Sequence, residues 1–350
     1  MKPFKALCLA ATLLATGTFA ASAEAAAPYA WQTVPWGGGG FVDGFLYHPK
    51  QQGLLYARTD IGGMYRYDGQ AKSWVPLLDH LGHDDSDLMG VVSFAIDPQD
   101  SQKLYAACGL YISQWSRKGA ILRSSDQGRT WQKTELPIGV GGNMDGRGTG
   151  ERLLVDPSDS KTLYFGSNQD GLWRSVDGGA TFTKVSQAVK AVSLVAASPS
   201  DPHLLYVGSA DGKGGLFASR DGGTTLTPVD GGPAQIPQHL AFAADGTVYV
   251  AFASNATGAA INPSNASGGS VWKHAPNGKW QEITPVRSGD SNSFGYSGID
   301  VGPDGTIAVS TLDRWWPGDD VFLSKDGGAH WTGLADKSKH DASPYPWLVN

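Results

Sequence analysis

One turn recurs four times along this chain: Ser124-Ser125-Asp126-Gln127-Gly128-Arg129-Thr130-Trp131, Ser175-Val176-Asp177-Gly178-Gly179-Ala180-Thr181-Phe182, Ser219-Arg220-Asp221-Gly222-Gly223-Thr224-Thr225-Leu226 and Ser324-Lys325-Asp326-Gly327-Gly328-Ala329-His330-Trp331. The pattern, S-x-D-x-G-x-T-W, is an Asp box. Its chemistry is that of a hairpin turn: glycine supplies positive φ, aspartate caps backbone N–H groups, and the aromatic packs beneath. Degenerate copies stand at Tyr67-Asp68-Gly69 before Trp74 and at Pro276-Asn277-Gly278 before Trp280. A second marker precedes each copy, at His48-Pro49, Asp97-Pro98, Asp156-Pro157, Ser198-Pro199, Asp245-Gly246 and Pro303-Asp304-Gly305. Each leads into a short β-branched or aromatic run, such as Thr162-Leu163-Tyr164-Phe165. Six units of about 50 residues, each with two turns and several strands, predict an all-β fold, a β-propeller of four-stranded blades. A parallel β-helix repeats at much shorter intervals, and a sandwich does not repeat its turn chemistry.

The repeat sorts the loops onto two faces. With strands A to D in each blade, the marker turn joins A to B and the Asp box joins C to D, so both lie on one face. The Asp-box aspartates are therefore read as structural. The long irregular loops fall on the other face. Arg58-Thr59-Asp60-Ile61-Gly62-Gly63, Gly109 to Ala120, Ala253 to Ser270, and Asp313-Arg314-Trp315-Trp316-Pro317-Gly318-Asp319 are B–C loops. Gly141 to Gly150 is a D–A loop. Long loops on one rim of a rigid scaffold are where function is expected.

Charge and leader patterns exclude some functions. Lys and Arg number 27 against 33 Asp and Glu, a net charge of −6, which argues against a nucleic-acid partner. Lys2 and Lys5, the apolar stretch Ala6 to Ala20 and the small residues Ala21-Ser22-Ala23 read as a secretory signal peptide over residues 1–23. Its loss removes two lysines and takes the net charge from −6 to −8. The stretch is too short to span about 30 Å of hydrocarbon, so no membrane partner is expected and the mature chain is expected to be extracellular or periplasmic. The two cysteines are Cys8 and Cys108. Cys8 leaves with the leader, so Cys108 has no intrachain partner and reads as a buried structural thiol.

Chemistry-bearing residues concentrate on the loop face. Trp315 and Trp316 lie in a polar segment with Pro and Gly, where exposed indoles suit the apolar faces of sugar rings. Tyr111 and Trp115 share that rim. Asp313, Asp319 and Asp320 either bind hydroxyls or cap the loop. Asp60 has rivals in Asp170, Asp211, Asp43, Asp145 and Asp313. Inverting glycoside cleavage needs a general base and a general acid about 6.5–9.5 Å apart, the acid with a raised pKa. Gly37-Gly38-Gly39-Gly40 lacks the Lys-Ser/Thr of a phosphate loop and is read as close backbone packing. The segment His80 to Asp87 matches no zinc or EF-hand spacing and is read as a solvated acidic loop. Asn255-Ala256-Thr257 and Asn265-Ala266-Ser267 fit the glycosylation sequon.

The residues resemble glycoside hydrolase family 74, the secreted endo-xyloglucanases. The resemblance rests on Gly37-Gly38-Gly39-Gly40-Phe41-Val42, Ala57-Arg58-Thr59-Asp60-Ile61-Gly62-Gly63, Leu88-Met89-Gly90-Val91 and Gly119-Ala120-Ile121-Leu122-Arg123-Ser124. It continues through Gly142-Asn143, Gly146-Arg147-Gly148, Gly150-Glu151-Arg152-Leu153, Asp170-Gly171-Leu172-Trp173-Arg174-Ser175 and Ser310 to Asp320. It implies two seven-bladed propellers across an open cleft and inverting cleavage of the β-1,4-glucan backbone of xyloglucan, without a cofactor. It implies that Asp60 is the general base. It also implies that Trp315 and Trp316 line product-side subsites, with Asn143, Arg147 and Asp170 as further substrate-binding candidates.

The departures are specific. Family members are roughly twice this length, and their acid lies in the second propeller, so the general acid is expected to be absent from this chain. The N-terminal propeller, residues 28–350, is expected to be incomplete, with six blades of seven. Ser86-Asp87 stands where members often show Trp-Asn. Three functions follow: half of a xyloglucanase inactive alone and completed by a second propeller half, a non-catalytic glucan-binding propeller, or a sialidase using Arg58, Arg147 and Arg314. The motif match runs against the sialidase.

Overall fold

The computed structural model describes residues 39–335 apart from 202, 213, 256–264, 277 and 290–291. All of them fall within the compact unit Pro35–Asn350. Among the described residues, the strands form six four-stranded antiparallel sheets, each ordered as the chain runs. They are arranged as the blades of a β-propeller. In blade 1 the strands are Val42–Tyr47 (A), Leu55–Thr59 (B), Met64–Asp68 (C) and Ser73–Pro76 (D).

Strand D is the most exposed strand of each blade because its sequence is the most polar, while strand A of blade 1 is also largely uncovered, with Phe45 and Tyr47 exposed. In blade 2, A (Val91–Ile96) and B (Leu104–Cys108) are apolar runs buried almost throughout. Strand D (Gln132–Glu135) is mostly exposed. Inner strands covered on both faces carry continuous apolar runs, and outer ones do not.

The core is divided into layers, each shared by two successive blades. Tyr56 and Met64 of blade 1 pack with Phe94, Leu104 and Leu122 of blade 2. Ile121 of blade 2 packs with Leu163 and Phe165 of blade 3. Leu172 of blade 3 meets Val195 and Val207 of blade 4, and Leu194 of blade 4 meets Val250 and Phe252 of blade 5. Val271 and Ile283 of blade 5 pack against Ile307 and Val309 of blade 6. Cys108 lies in the first of these layers, and burial pushes its thiol far up, as expected of a structural cysteine.

The repeated turns close as their chemistry requires. In blade 2 the Ser124 hydroxyl donates to Asp126 Oδ1 (2.8 Å) and accepts from Gly128 N–H (2.8 Å). Thr130 N–H donates to the same carboxylate oxygen at 2.9 Å. Blades 3, 4 and 6 repeat these bonds around Asp177, Asp221 and Asp326. The turn aromatic also clips to the preceding blade. The indole N–H of Trp131 donates to the Leu77 carbonyl (3.1 Å) and that of Trp331 to the Ile283 carbonyl (2.8 Å).

A second latch was not anticipated from the sequence. A cation on strand C reaches the turn of the next blade. Arg66 donates to the Gln127 carbonyl (3.1 Å) and Lys273 to the Gly327 carbonyl (2.7 Å). The side chains of Arg123 and Arg174 lie against Gly179 and Gly222 of the following turns. Blade 4 has Ala218 at this position, and the turn it faces, in blade 5, is a degenerate one.

Several expectations meet the structure at their edges. The B–C loop of blade 5 runs from 255 to 267, because strands Val248–Ser254 and Gly268–His274 extend further than expected. The acidic segment holds a short 3-10 helix, His83–Met89, and no group of metal-ligating side chains occurs among the described residues. No helix among them is long and apolar enough to cross a membrane. The leader with Cys8, Gly37, Gly38, Asn277 and most of the first sequon lie outside the described residues.

Candidate active site

Asp60 stands where strand B of blade 1 ends. Thr59 closes the loop behind it: its N–H and hydroxyl both donate to the Gly63 carbonyl at 3.0 Å, and the hydroxyl accepts from Gly62 N–H at 2.8 Å. A Cβ on Gly62 would strike the Gly39 carbonyl, and one on Gly40 would sit 3.0 Å from Asp60 Oδ1. Gly40, the last glycine of the run, thus packs closely against the Asp60 loop. Asp60 Oδ1 accepts the Phe41 N–H at 2.7 Å, and Oδ2 lies 3.4 Å from Arg147 Nε. The carboxylate is oriented and charge-paired, with 10% of the side chain accessible.

Arg147 belongs to the D–A loop between blades 2 and 3, which reaches blades 1, 2 and 5. Arg58 holds it from blade 1. Its buried guanidinium donates to the Arg147 carbonyl (2.9 Å), the Thr149 carbonyl (3.2 Å) and Glu151 Oε1 (2.9 Å). Blade 2 holds the loop through Glu151 Oε2, which accepts from the Ser93 hydroxyl (2.6 Å) and Phe94 N–H (2.8 Å). Blade 5 holds it through the bond from Gly150 N–H to the Gln238 carbonyl. Arg152 bonds the Gly146 carbonyl and the Thr149 hydroxyl. Beside these groups, Asp43 is wholly buried at its side chain, 3.9 Å from Arg58 Nη1 and 3.8 Å from Arg147 Nε. Burial pushes its carboxyl up to about 7 against the pull of the two arginines.

The remaining rivals of Asp60 are otherwise engaged. Asp170 is paired with Lys184 at 2.6 Å. Asp211 accepts from the N–H groups of Lys190 and Ala191. Asp313 sits at φ +63° and accepts the Ala266 N–H. Asp319 binds the Thr311 hydroxyl and Arg314 N–H, and Asp320 binds the N–H groups of Leu334 and Ala335. These last three all make the loop-capping bonds that one of their two expected roles requires. Asp145 is exposed.

Two aromatic platforms flank this rim. Tyr111 and Trp115 have ring centroids 5.6 Å apart, and the Asn143 amide donates to the Tyr111 hydroxyl at 2.8 Å. Trp115 is 77% exposed. A backbone ladder ties this platform to the Asp60 loop. Gly63 N–H bonds Met89, Gly109 N–H bonds Gly90, and Gly142 N–H bonds Gly109. A Cβ at Gly142 would lie 2.5 Å from the Gly90 carbonyl carbon. On blade 6, Trp315 and Trp316 are 58% and 68% exposed, and Asn292 anchors the Trp316 carbonyl at 2.6 Å.

No family model matches the chain. Curated relatives and solved structures do. A xyloglucanase from Paenibacillus sp is 40% identical over 97% of this chain and 37% of its own length. Xyloglucanase Xgh74A of Acetivibrio thermocellus is 37% identical over 98% of this chain and 46% of its own length. The crystal structure of the GH74 xyloglucanase from Xanthomonas campestris superposes with a TM-score of 0.80 at 38% identity, covering 88% of this chain and 47% of that one. These matches show that the chain is similar to glycoside hydrolase family 74. They cover its N-terminal propeller region. The chain spans less than half the length of these relatives.

The folded site adds residues that the sequence left out. Arg58 was read as part of a motif and as one of three arginines a sialidase would use, yet it pins the loop that carries Arg147. Glu151 links blades 1 and 2 through that loop and was not singled out. Their signal was present as isolated charges inside apolar or glycine-rich runs, a pattern that marks paired burial.

Proposed function

We propose that this chain is the base-bearing part of a secreted glycoside hydrolase that cleaves the β-1,4-glucan backbone of xyloglucan. The observation that carries the reading is Asp60, oriented by Phe41 N–H and paired with Arg147, on the loop face that also carries the exposed Trp115, Trp315 and Trp316. An oriented carboxylate at the rim can take a proton from water. The water oxygen bonds the anomeric carbon as the glycosidic C–O bond breaks. A second carboxyl about 6.5–9.5 Å away gives its proton to the leaving oxygen. Asp43 is not that acid, because no atom of its side chain is accessible to a substrate. The acid is proposed to come from polypeptide outside this chain, as in the two-propeller arrangement the family resemblance implies. Trp315, Trp316, Tyr111 and Trp115 are proposed to stack on sugar rings, with Asn143, Arg147 and Asp170 contacting hydroxyls.

A second reading, glucan binding without cleavage, is favoured by the exposure of Trp315 and Trp316. Reducing-end release from xyloglucan, with Asp60→Asn in parallel, separates the two. Release by the wild type alone makes Asp60 catalytic and places an acid within this chain. No release, with retardation in xyloglucan gels that Trp315→Ala and Trp316→Ala abolish, supports a part that needs its complement. Neither release nor retardation overturns the xyloglucan reading.

A further inference from the structure

Asp43 is the buried acid the proposed chemistry leaves unused. It sits on a bulge of strand A in blade 1: Val42 pairs with Thr59 and Gly44 with Arg58, leaving Asp43 unpaired. A bulge re-aims the side chain it carries. Strands A of blades 2, 4, 5 and 6 bulge near the same point, beside Val92, Ser193, Gln238 and Ser297, so of these five bulges only that of blade 1 carries an acid. Neither oxygen of Asp43 accepts a hydrogen bond. A buried carboxylate without protein hydrogen bonds stays ionised only where charge holds it. The charged groups facing it are Arg58 from strand B, Asp60 from the B–C loop, and Arg147 and Glu151 from the D–A loop. Arg58 is already committed to Glu151 and to two carbonyls. Arg147 Nε lies 3.8 Å from Asp43 Oδ1 and 3.4 Å from Asp60 Oδ2. One guanidinium stands between two carboxylates.

We propose that Asp43 is a positioning residue for the Asp60 site, holding Arg147 from behind and offsetting its charge so that Asp60 stays able to take a proton. The proposal rests on the reading of Asp60 as general base. A lone guanidinium beside a carboxylate weakens it as a base. A second carboxylate on the same guanidinium shares that pull. Asp43 cannot be replaced from solvent, because its side chain is sealed. Its titration near neutral pH makes the offset pH-dependent: protonated Asp43 leaves Arg147 to Asp60, and ionised Asp43 shares it.

The test is a carbon-13 NMR titration of the chain labelled at aspartate Cγ, with the Asp43 signal assigned by through-bond correlation in the wild type. The expected result is an Asp43 midpoint that rises by about one pH unit in Arg147→Gln and falls in Asp60→Asn. Asp43→Asn, which removes the signal, checks the assignment but is not needed for it. A midpoint unmoved in both Arg147→Gln and Asp60→Asn overturns the proposal, and so does an Asp43 that titrates like an exposed aspartate. The hydrolysis assay reports on Asp60 as base and the titration reports on the coupling, so either can fail without the other.

Discussion

The guanidinium of Arg58 and the backbone carbonyl of Arg147 share a 2.9 Å hydrogen bond across 89 residues of sequence. Through it, the residue two before Asp60 holds the residue that faces Asp60. Site and scaffold are one network here, and removing Arg58 acts on both.

Arg58→Ala is therefore expected to be among the most damaging substitutions in the propeller. It strands Glu151 and two loop carbonyls in a buried site. Breaking a buried pair from one side costs about 3–5 kcal/mol. Arg58→Lys keeps the charge but cannot fork to three acceptors, and is expected to recover only part of the loss. Urea unfolding followed by tryptophan fluorescence measures both. A loss under about 1 kcal/mol for Arg58→Ala would show that the loop is held by other means.

The pH dependence of stability has a sign set by Asp43. Its folded carboxyl is raised to about 7, above the unfolded value, so the folded state binds the extra proton. That contribution is full below about pH 4 and is lost as pH rises to 7, on the order of 4 kcal/mol in all. His239, held neutral by burial, acts in the opposite sense. The quantity to measure is therefore the difference between Asp43→Asn and wild type. It is expected to move in favour of the variant between pH 4 and pH 8. A difference that stays constant over that range refutes the assignment.

The turn aspartates dominate at acid pH. Asp126, Asp177 and Asp221 are held at about 2, and Asp326 lower still, chiefly by hydrogen bonds from residues of their own turns. A depressed carboxyl stabilises the fold above its unfolded pKa, and the effect is lost as pH falls toward the folded value. Asp126→Asn is expected to be destabilising at pH 5 and progressively less so toward pH 2, read by the same unfolding assay.

The cation latch between blades predicts an asymmetry. Lys273→Ala removes the bond to the Gly327 carbonyl and is expected to lower stability by about 1–2 kcal/mol. Ala218→Lys places a cation against a turn that lacks the serine–aspartate geometry and is expected to change stability by less than about 0.5 kcal/mol. Equal effects at both positions would mean the latch is not specific to the turn it faces.

Cys108 offers a clean probe of unfolding. Its thiol is fully buried and pushed up by burial alone, so little thiolate exists in the folded chain. In a Cys8→Ser chain, Ellman's reagent is expected to react only as fast as the protein opens, and at once in denaturant. Rapid reaction under native conditions would place Cys108 at an accessible seam.

Sequence alone determined the parts of this protein whose physics is local. The S-x-D-x-G turns close on themselves within a few residues, from Ser124 to Trp131 and in each later copy. Their spacing carried the blade count, and blade topology then assigned Asp60, Tyr111, Trp315 and Trp316 to the same face. Tertiary structure decided what joins those pieces. Arg58 meets Glu151 over a separation of 93 residues, and Asp43 faces an arginine from another blade connection. Burial and charge pairing at that range depend on how six sheets pack around one centre. No short stretch of sequence encodes that packing, so the loop-face candidates could be named from their motifs, while the charge network that holds Asp60 appeared only in the folded ring.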